Sequence, residues 1–352
     1  MAAFLLRRIV QGILVLVVSS MAVYLLLYLA PGGPLSEIIQ QKQQSSRYPI
    51  RADDIERLKR QYDLDLPLWK SYGRWAFGWP DLPDRAPRRG VIRGDFGESW
   101  RLSEHEPTMT VIVRALPNTL KLTVAAVLLS LAVGIPAGIY SAVHQYSRAD
   151  YVITTATFFG TAMPVFWLGS MLILVFSFLF KDWGLPYLPP GSVSAARDYT
   201  LPLFGRISAG SFLDQGLRMI MPTITLSLLF MAGWGRYTRS SMLDVLRQDY
   251  VRTARAKGLP ERVVILKHAL RNALIPLVTI VTLQIPFLFG GAIITETIFN
   301  WHGMGLLFID SLSQSDWPVA LTYLLILSGI TVAANLIADV LYTLVDPRIR
   351  VS

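Results

Sequence analysis

The sequence contains no cysteine, which excludes thiol nucleophiles, thiolate metal sites, iron–sulfur clusters and disulfides together. It is also poor in charge. Only 16% of its residues are Asp, Glu, Lys or Arg, against about 25% in an average soluble domain. Four histidines, His105, His144, His268 and His302, are scattered singly with no HExxH or HxH pattern, so a metalloenzyme is not expected. What fills the 352 residues instead is apolar: 53% are hydrophobic, gathered into long charge-free runs. Such runs mark a membrane protein. In a soluble protein the net charge of +9 would suggest a nucleic-acid partner. In a membrane protein it reports which side of the bilayer each loop occupies.

A helix needs about 20 apolar residues to cross a bilayer. Six stretches meet or approach that length: 9–29, 122–143, 152–179, 219–235, 273–294 and 318–343. None alternates with the period of two that a membrane strand requires. The first follows Arg7 and Arg8, as a signal peptide would, but its apolar part exceeds a signal core. Tyr28-Leu29-Ala30 also lacks the small residue at −3, so the segment reads as a retained span. With a cytoplasmic N-terminus, the cytoplasmic pieces 1–8, 144–151, 236–272 and 344–352 hold 14 Lys and Arg; the short outer loops 180–218 and 295–317 hold 4. Loop 30–117 is long enough to escape that rule. The expected architecture is all-α, with six spans and both termini cytoplasmic.

Two regions lie outside the spans. The external insertion, 31–117, carries a helix signal over 53–60, with acids at its start and bases at its end to match the macrodipole. Trp69, Tyr72, Trp75, Phe77 and Trp79 follow, and suit either the lipid headgroup layer or a small core of the insertion itself. Residues 80–93, rich in Pro, Arg and Asp, read as irregular loop. The second region is 236–272. Residues 240–257 lack Gly and Pro and place Met242, Leu243, Leu246, Tyr250 and Val251 at helical spacing. Gly258-Leu259-Pro260 then ends the helix, Gly supplying the left-handed turn and Pro preventing continuation. From Glu261 a second helix runs through His268 into the fifth span.

The helix end, Arg252-Thr253-Ala254-Arg255-Ala256-Lys257, sets small side chains between three cations. This pattern suits docking into another protein's groove; topology control and anionic-lipid binding are the competing readings. Without interleaved aromatics it does not suit nucleic acid. Within the spans, Pro164 and Pro286 are read as interruptions, and with Gln284 they are candidate pathway residues, against ordinary kinks and helix–helix hydrogen bonding. Asp339, near the end of the last span, is expected to pair with Arg348 or Arg350. The segment from Glu296 to Gly305 reads as a structural turn first and a gate or docking element second.

The cytoplasmic segment resembles the conserved loop of binding-protein-dependent ABC importer permeases. Ala254 and Gly258 match that pattern, while Arg252 stands in place of its Glu and Arg271 in place of a later Pro. Those departures are typical of the dipeptide/oligopeptide branch, and the B-type permease subunit is the nearest likeness. The resemblance extends along the chain through Leu29-Ala30-Pro31-Gly32, Arg93-Gly94-Asp95-Phe96-Gly97, Leu116-Pro117-Asn118-Thr119-Leu120 and Pro164-Val165-Phe166-Trp167-Leu168-Gly169. It continues through Asp249 to Leu259, Glu296 to Gly305 and Asp346-Pro347-Arg348-Ile349-Arg350.

The resemblance implies a type I ABC importer permease fold and a prokaryotic inner-membrane location. It divides the chain into a first helix (1–30), the external insertion (31–117) and a core permease domain (118–352) with a coupling loop at 236–272. It implies a homologous second permease, two cytoplasmic ATP-binding subunits and an external substrate-binding protein as partners. Arg252, Thr253, Ala254, Arg255, Ala256, Lys257, Gly258, Leu259 and Pro260 would form the coupling element. The chain has no Gly-x-x-x-x-Gly-Lys-Ser/Thr loop, so ATP and Mg are expected in partner subunits and no cofactor in this one. The implied activity is peptide import by alternating access; nickel complexes, glutathione and oligosaccharides are the alternative cargoes. A hydrolase is disfavoured, because no His falls in a span with Ser170 or Ser177. A stand-alone channel would not need the protruding helix–turn–helix.

Overall fold

The computed structural model describes residues 2–29, 39, 52–83, 85 and 87–345. Most of 30–51 and the whole of 346–352 lie outside the described residues, and with them Ala30-Pro31-Gly32, Arg348 and Arg350. Lipid offers no partner to a bare backbone amide, so apolar segments fold as helices that satisfy every N–H internally. Among the described residues, six helices are long and apolar enough to cross a membrane. The elements are α1 (Ala2–Tyr28), α2 (Ala52–Gln61), α3 (Leu68–Phe77), α4 (Thr108–Val143), α5 (Arg148–Ala162), α6 (Val165–Ile173), β1 (Tyr199–Leu201), β2 (Gly205–Ile207), α7 (Phe212–Leu246), α8 (Asp249–Ala256), α9 (Leu270–Ile298), α10 (Met304–Ser313) and α11 (Trp317–Val345). The two strands form one antiparallel hairpin, with Tyr199 opposite Ile207.

The chain divides into two compact units, Met1–Leu116 with Leu307–Ala333, and Pro117–Leu306 with Ala334–Ser352. In the first, Trp75 and Ala76 of α3 pack with Val23 and Tyr24 of α1 and with Leu321 and Leu325 of α11. Gly12 allows α1 to approach α11 closely, since a Cβ there would lie 2.8 Å from Val332 Cγ1. The aromatic run therefore serves two environments. Trp75 is buried and Tyr72 half-buried, whereas Trp69, Phe77 and Trp79 are exposed. The arginines of the insertion act as internal ties. The buried Asp63 carboxylate accepts from Arg74 Nε at 3.2 Å and Arg85 Nη1 at 3.0 Å, and pairs with Arg88 Nε at 3.4 Å. Ahead of α11, the Asp316 carboxylate accepts successive amides of Trp100, Arg101 and Leu102 at 3.0–3.1 Å, fixing that turn to the helix start.

The second unit is built around α7, which packs most extensively on α9 and then on α5. Leu122 and Ala126 of α4, Leu226, Phe230 and Trp234 of α7, Leu277 and Ala292 of α9, and Trp301 form its core. At 1.5 Å per residue, the 36-residue α4 and 35-residue α7 span about 54 and 52 Å. The hydrocarbon core is only about 30 Å thick, so both helices project beyond it.

Three sequence expectations need correction. The run 152–179 is not one helix: α5 ends at Met163, and α6 starts after Pro164, both residues being extended (ψ 126° and 134°). Proline lacks the amide and pushes its predecessor out of the helical region, which forces the break there. The candidate span is Val165–Asp182, continuing through a π-helical turn at Leu174–Leu179. Pro286, by contrast, does not interrupt the fifth span; it lies with Pro276 inside an unbroken α9. Finally, the helix expected over 240–257 is two helices, divided at Arg247 and an extended Gln248 (ψ 149°), after which Asp249 occupies the first turn of α8.

Candidate coupling surface

The break at Gln248 has a physical reason: it lets α8 fold back and bury its apolar edge. Val251 and Ala254, spaced i and i+3, are buried with Met242 of α7, Ala142 of α4, Val264, Ala269 and Ala273. Ala254 therefore faces the protein's own core, not a partner as its small side chain suggested. The remaining positions, Arg252, Thr253, Arg255, Ala256, Lys257, Gly258, Leu259 and Pro260, are exposed. The element is thus held by one edge and presents the other.

Its end is built by the turn chemistry that the sequence announces. Gly258 adopts φ +71°. The Gly258 amide donates to Arg255 O at 2.9 Å and the Leu259 amide to Ala254 O at 3.4 Å, the paired bonds of a Schellman cap. Arg255 then reaches across the turn to Glu261, Nη2 to Oε1 at 2.7 Å. That carboxylate raises the Arg255 guanidinium above its ordinary value. With both side chains about half exposed, the pair fixes the turn's shape more than it stabilises the fold. Arg252 sits 3.7 Å from Asp249 one turn back.

Beyond Pro260 the chain makes one helical turn (Glu261–Val263) and a π-helical segment (Val264–Ala269) before α9. Leu259, Val263 and Leu266 are exposed at spacings of four and three. They extend the presented surface past the stretch that sequence reasoning marked, and helical spacing counted from Glu261 was the signal that could have found them.

Several bonds tie this surface into the spans. Asn272 Nδ2 of α9 donates to Tyr250 Oη of α8 at 3.0 Å, and Ser241 Oγ of α7 to Ala273 O of α9 at 2.9 Å. Arg239 of α7 donates Nε and Nη2 to the two oxygens of buried Asp150 at 2.9 and 3.0 Å; Ser141 Oγ of α4 donates to the same carboxylate. The Arg239 guanidinium, with Ser141 and the Tyr146 amide, holds the Asp150 carboxyl well below the usual carboxylate range. Sequence reasoning missed this cluster, because its members lie up to 98 positions apart with no motif to join them.

The candidate pathway residues are not gathered by the fold into one site. Pro164 caps α6, Pro286 is buried within α9, and Gln284 accepts the Trp234 indole N–H at 2.6 Å. The segment from Glu296 to Gly305 is a structural turn. Buried Glu296 accepts Thr119 Oγ1 at 2.6 Å and the amides of Gly305 and Leu306 at 2.7 and 3.0 Å, capping the start of α10. Trp301 Nε1 donates to Asn118 O at 3.0 Å, and Asn118 Nδ2 to His302 O at 2.7 Å.

Comparison with known proteins places this arrangement. The family described as binding-protein-dependent transport system inner membrane component matches residues 134–351. Its N-terminal companion family matches residues 1–123. The chain is 39% identical over 350 residues to the oligopeptide transport system permease protein AppB of Bacillus subtilis, covering 99% of this chain and 100% of that one. It is 35% identical to the dipeptide transport system permease protein DppB of Escherichia coli K12, covering 99% of each. The solved inward-facing MetNI methionine ABC transporter overlays with a TM-score of 0.49 at 15% identity, covering 67% of this chain and 98% of that one. On the two full-length sequence matches and the family match, the chain belongs to the inner-membrane component family of binding-protein-dependent transport systems and is a multi-pass inner-membrane protein.

Proposed function

We propose that this chain is the membrane-spanning permease subunit of an ATP-driven importer of di- or oligopeptides, working by alternating access. Its full-length relatives AppB and DppB are named for oligopeptide and dipeptide transport, which supports the cargo class. The observation that carries the coupling role is the packing of α8. One edge is clamped to α4, α7 and the start of α9, while Arg252, Thr253, Arg255, Ala256 and Lys257 face outward.

A helix held this way transmits a push as rigid-body motion, because close-packed interiors deform little. Two cytoplasmic ATP-binding subunits, holding ATP and Mg, would grip the surface 252–260; their approach would turn α7 and α9 together through the Tyr250–Asn272 and Ser241–Ala273 bonds. The shift in access is then set by the difference in binding energy between the two states. ATP hydrolysis resides in those partners. A second, homologous permease and an external binding protein complete the assembly. In this reading both termini are cytoplasmic, 31–117 is an external insertion and 118–352 is the core permease domain.

The native absence of cysteine makes the test direct. K257C in the assembled transporter should react with a membrane-impermeant maleimide from the cytoplasmic side only and cross-link to an ATP-binding subunit. Labelling from outside, or no cross-link in the complete complex, overturns the assignment.

A further inference from the structure

A cavity of about 320 Å³ opens between α4, α5 and α7 in the second unit. Its polar lining is cationic and hydroxylic: Arg236, Arg239 and Arg247, with Thr154, Thr157 and Ser240. Asp244 is the one carboxylate on its wall. Arg239 is already neutralised by Asp150. Arg236 and Arg247 have no acidic partner within ion-pair distance among the described residues; Arg236 instead rests over the Phe158 ring at 5.7 Å. The wall therefore sets two uncompensated guanidiniums against one carboxylate, beside three hydroxyl groups.

The surroundings are apolar. Tyr151, Val152, Phe158 and Phe159 of α5 are all 57–68% exposed. With 15 residues, α5 is shorter than any of the six candidate spans. A short helix with an exposed aromatic and aliphatic face, beside arginines at the end of a long span, matches the chemistry of the membrane interface.

We propose that this cavity is a binding site for the phosphate of an anionic phospholipid, whose acyl chains lie along the exposed face of α5. Guanidinium groups and hydroxyls are the donors suited to a phosphodiester, Arg by its forked geometry and Thr and Ser by single bonds. Basic pockets between spans are where anionic headgroups settle. A free phosphate would satisfy the guanidiniums equally, but it would leave the α5 face without an occupant. The site lies apart from 252–260 and does not depend on the coupling assignment, so either can fail alone.

The test uses the assembled transporter in nanodiscs of zwitterionic lipid doped with phosphatidylglycerol, with retained lipid read by native mass spectrometry. Replacing both free arginines (R236Q with R247Q) should lower retained phosphatidylglycerol about tenfold, as expected for losing two charge-assisted contacts. Retained zwitterionic lipid should not change, and R236K with R247K should keep much of the binding. If the double variant does not assemble, T157V, which removes one hydroxyl donor, should lower retention by a smaller factor. Equal phosphatidylglycerol retention in variant and parent overturns the proposal. So does saturable binding of inorganic phosphate to the delipidated complex at these same arginines, which would assign the cavity to a free anion. Cross-linking of T157C to a neighbouring subunit overturns it as well, since protein would then cover the face.

Discussion

The Trp234 indole N–H donates to the side-chain oxygen of Gln284 at 2.6 Å, joining α7 to α9 in the middle of the second unit's core. A buried indole donor without a partner is costly in lipid, and Gln284 meets that need from the neighbouring helix. The bond is a packing device. Q284L should therefore destabilise the complex by about 0.5–1.5 kcal/mol, the net value of one such bond. W234F should lose the same bond plus some apolar contact, and the double variant should cost less than the sum of the singles. Thermal unfolding of the four proteins in one detergent measures the cycle. Additive losses, or altered peptide selectivity in Q284L at unchanged stability, would instead make Gln284 a pathway residue.

At Asp150 the sign of a pH effect can be worked out. Its carboxyl is depressed chiefly by the hydrogen bonds from Arg239, so the folded state holds the ionised form more tightly than the unfolded chain does. The resulting stability is fully present above the ordinary carboxylate pKa and is lost as pH falls below it toward the folded value. D150N should lower unfolding stability near neutral pH by about 2–4 kcal/mol, since it leaves a partly buried guanidinium with a weaker partner. The same variant should lose less than the parent on acidification below about pH 4, where the parent's own carboxylate begins to protonate in the unfolded state. Melting curves at neutral and acid pH check both. A parallel pH dependence in D150N and parent would remove Asp150 as the source.

How much of this was legible in the sequence follows from the range of the forces involved. Length and hydropathy are local, and they announced six spans. Turn chemistry is local too, and Gly258 with φ +71° stands where Gly-Leu-Pro placed it. The break at Pro164 was readable as an interruption, but not as the boundary of a separate short helix α5, because a charge-free run has no polar edge to mark an end. The split at Gln248 was illegible for a different reason. The burial of Val251 and Ala254 against Ala142, Val264 and Ala273 decides it, and those residues come from other helices. Ala254 shows the limit most clearly: a small residue between cations reads as a docking surface until the chain is folded. The Asp150 cluster and the glycine crossing of α4 with α7 are likewise settled only by tertiary contact.

Gly258 offers a conformational test free of steric complication. A Cβ built on it meets nothing within 4 Å, so any cost of substitution is that of holding a side chain at φ +71°. That cost is about 1–2 kcal/mol for an ordinary L-residue, smaller for Asn and larger for a β-branched one. Transport should fall in the order G258N, G258A, G258V, with membrane levels of the chain unchanged because the spans are untouched. ATP-dependent peptide uptake, set beside the amount of chain in the membrane, reads the series. Normal uptake by G258V would show that the direction of this turn does not matter to coupling.

Gly134 and Gly138, one turn apart on α4, face the α7 backbone. An added Cβ on Gly138 would lie 2.5 Å from Gly235 O and 2.7 Å from Thr238 Cβ, and one on Gly134 would lie 2.8 Å from Met231 O. Backbone cannot swing aside as a flexible side chain can, so G138A must push the two helices apart. In lipid, where helix association rests on close packing and not on hydrophobic expulsion, that separation forfeits contacts along the whole crossing. G138A should destabilise by about 1–3 kcal/mol, and G138L should prevent a stable second unit from forming. Gly233, also within α7, supplies the control, since a Cβ there meets nothing within 4 Å. G233A should be neutral or stabilising by up to about 1 kcal/mol, because alanine loses less backbone freedom on folding. Matched losses in G138A and G233A would mean that glycine acts through helix flexibility; a loss confined to G138A assigns it to the crossing.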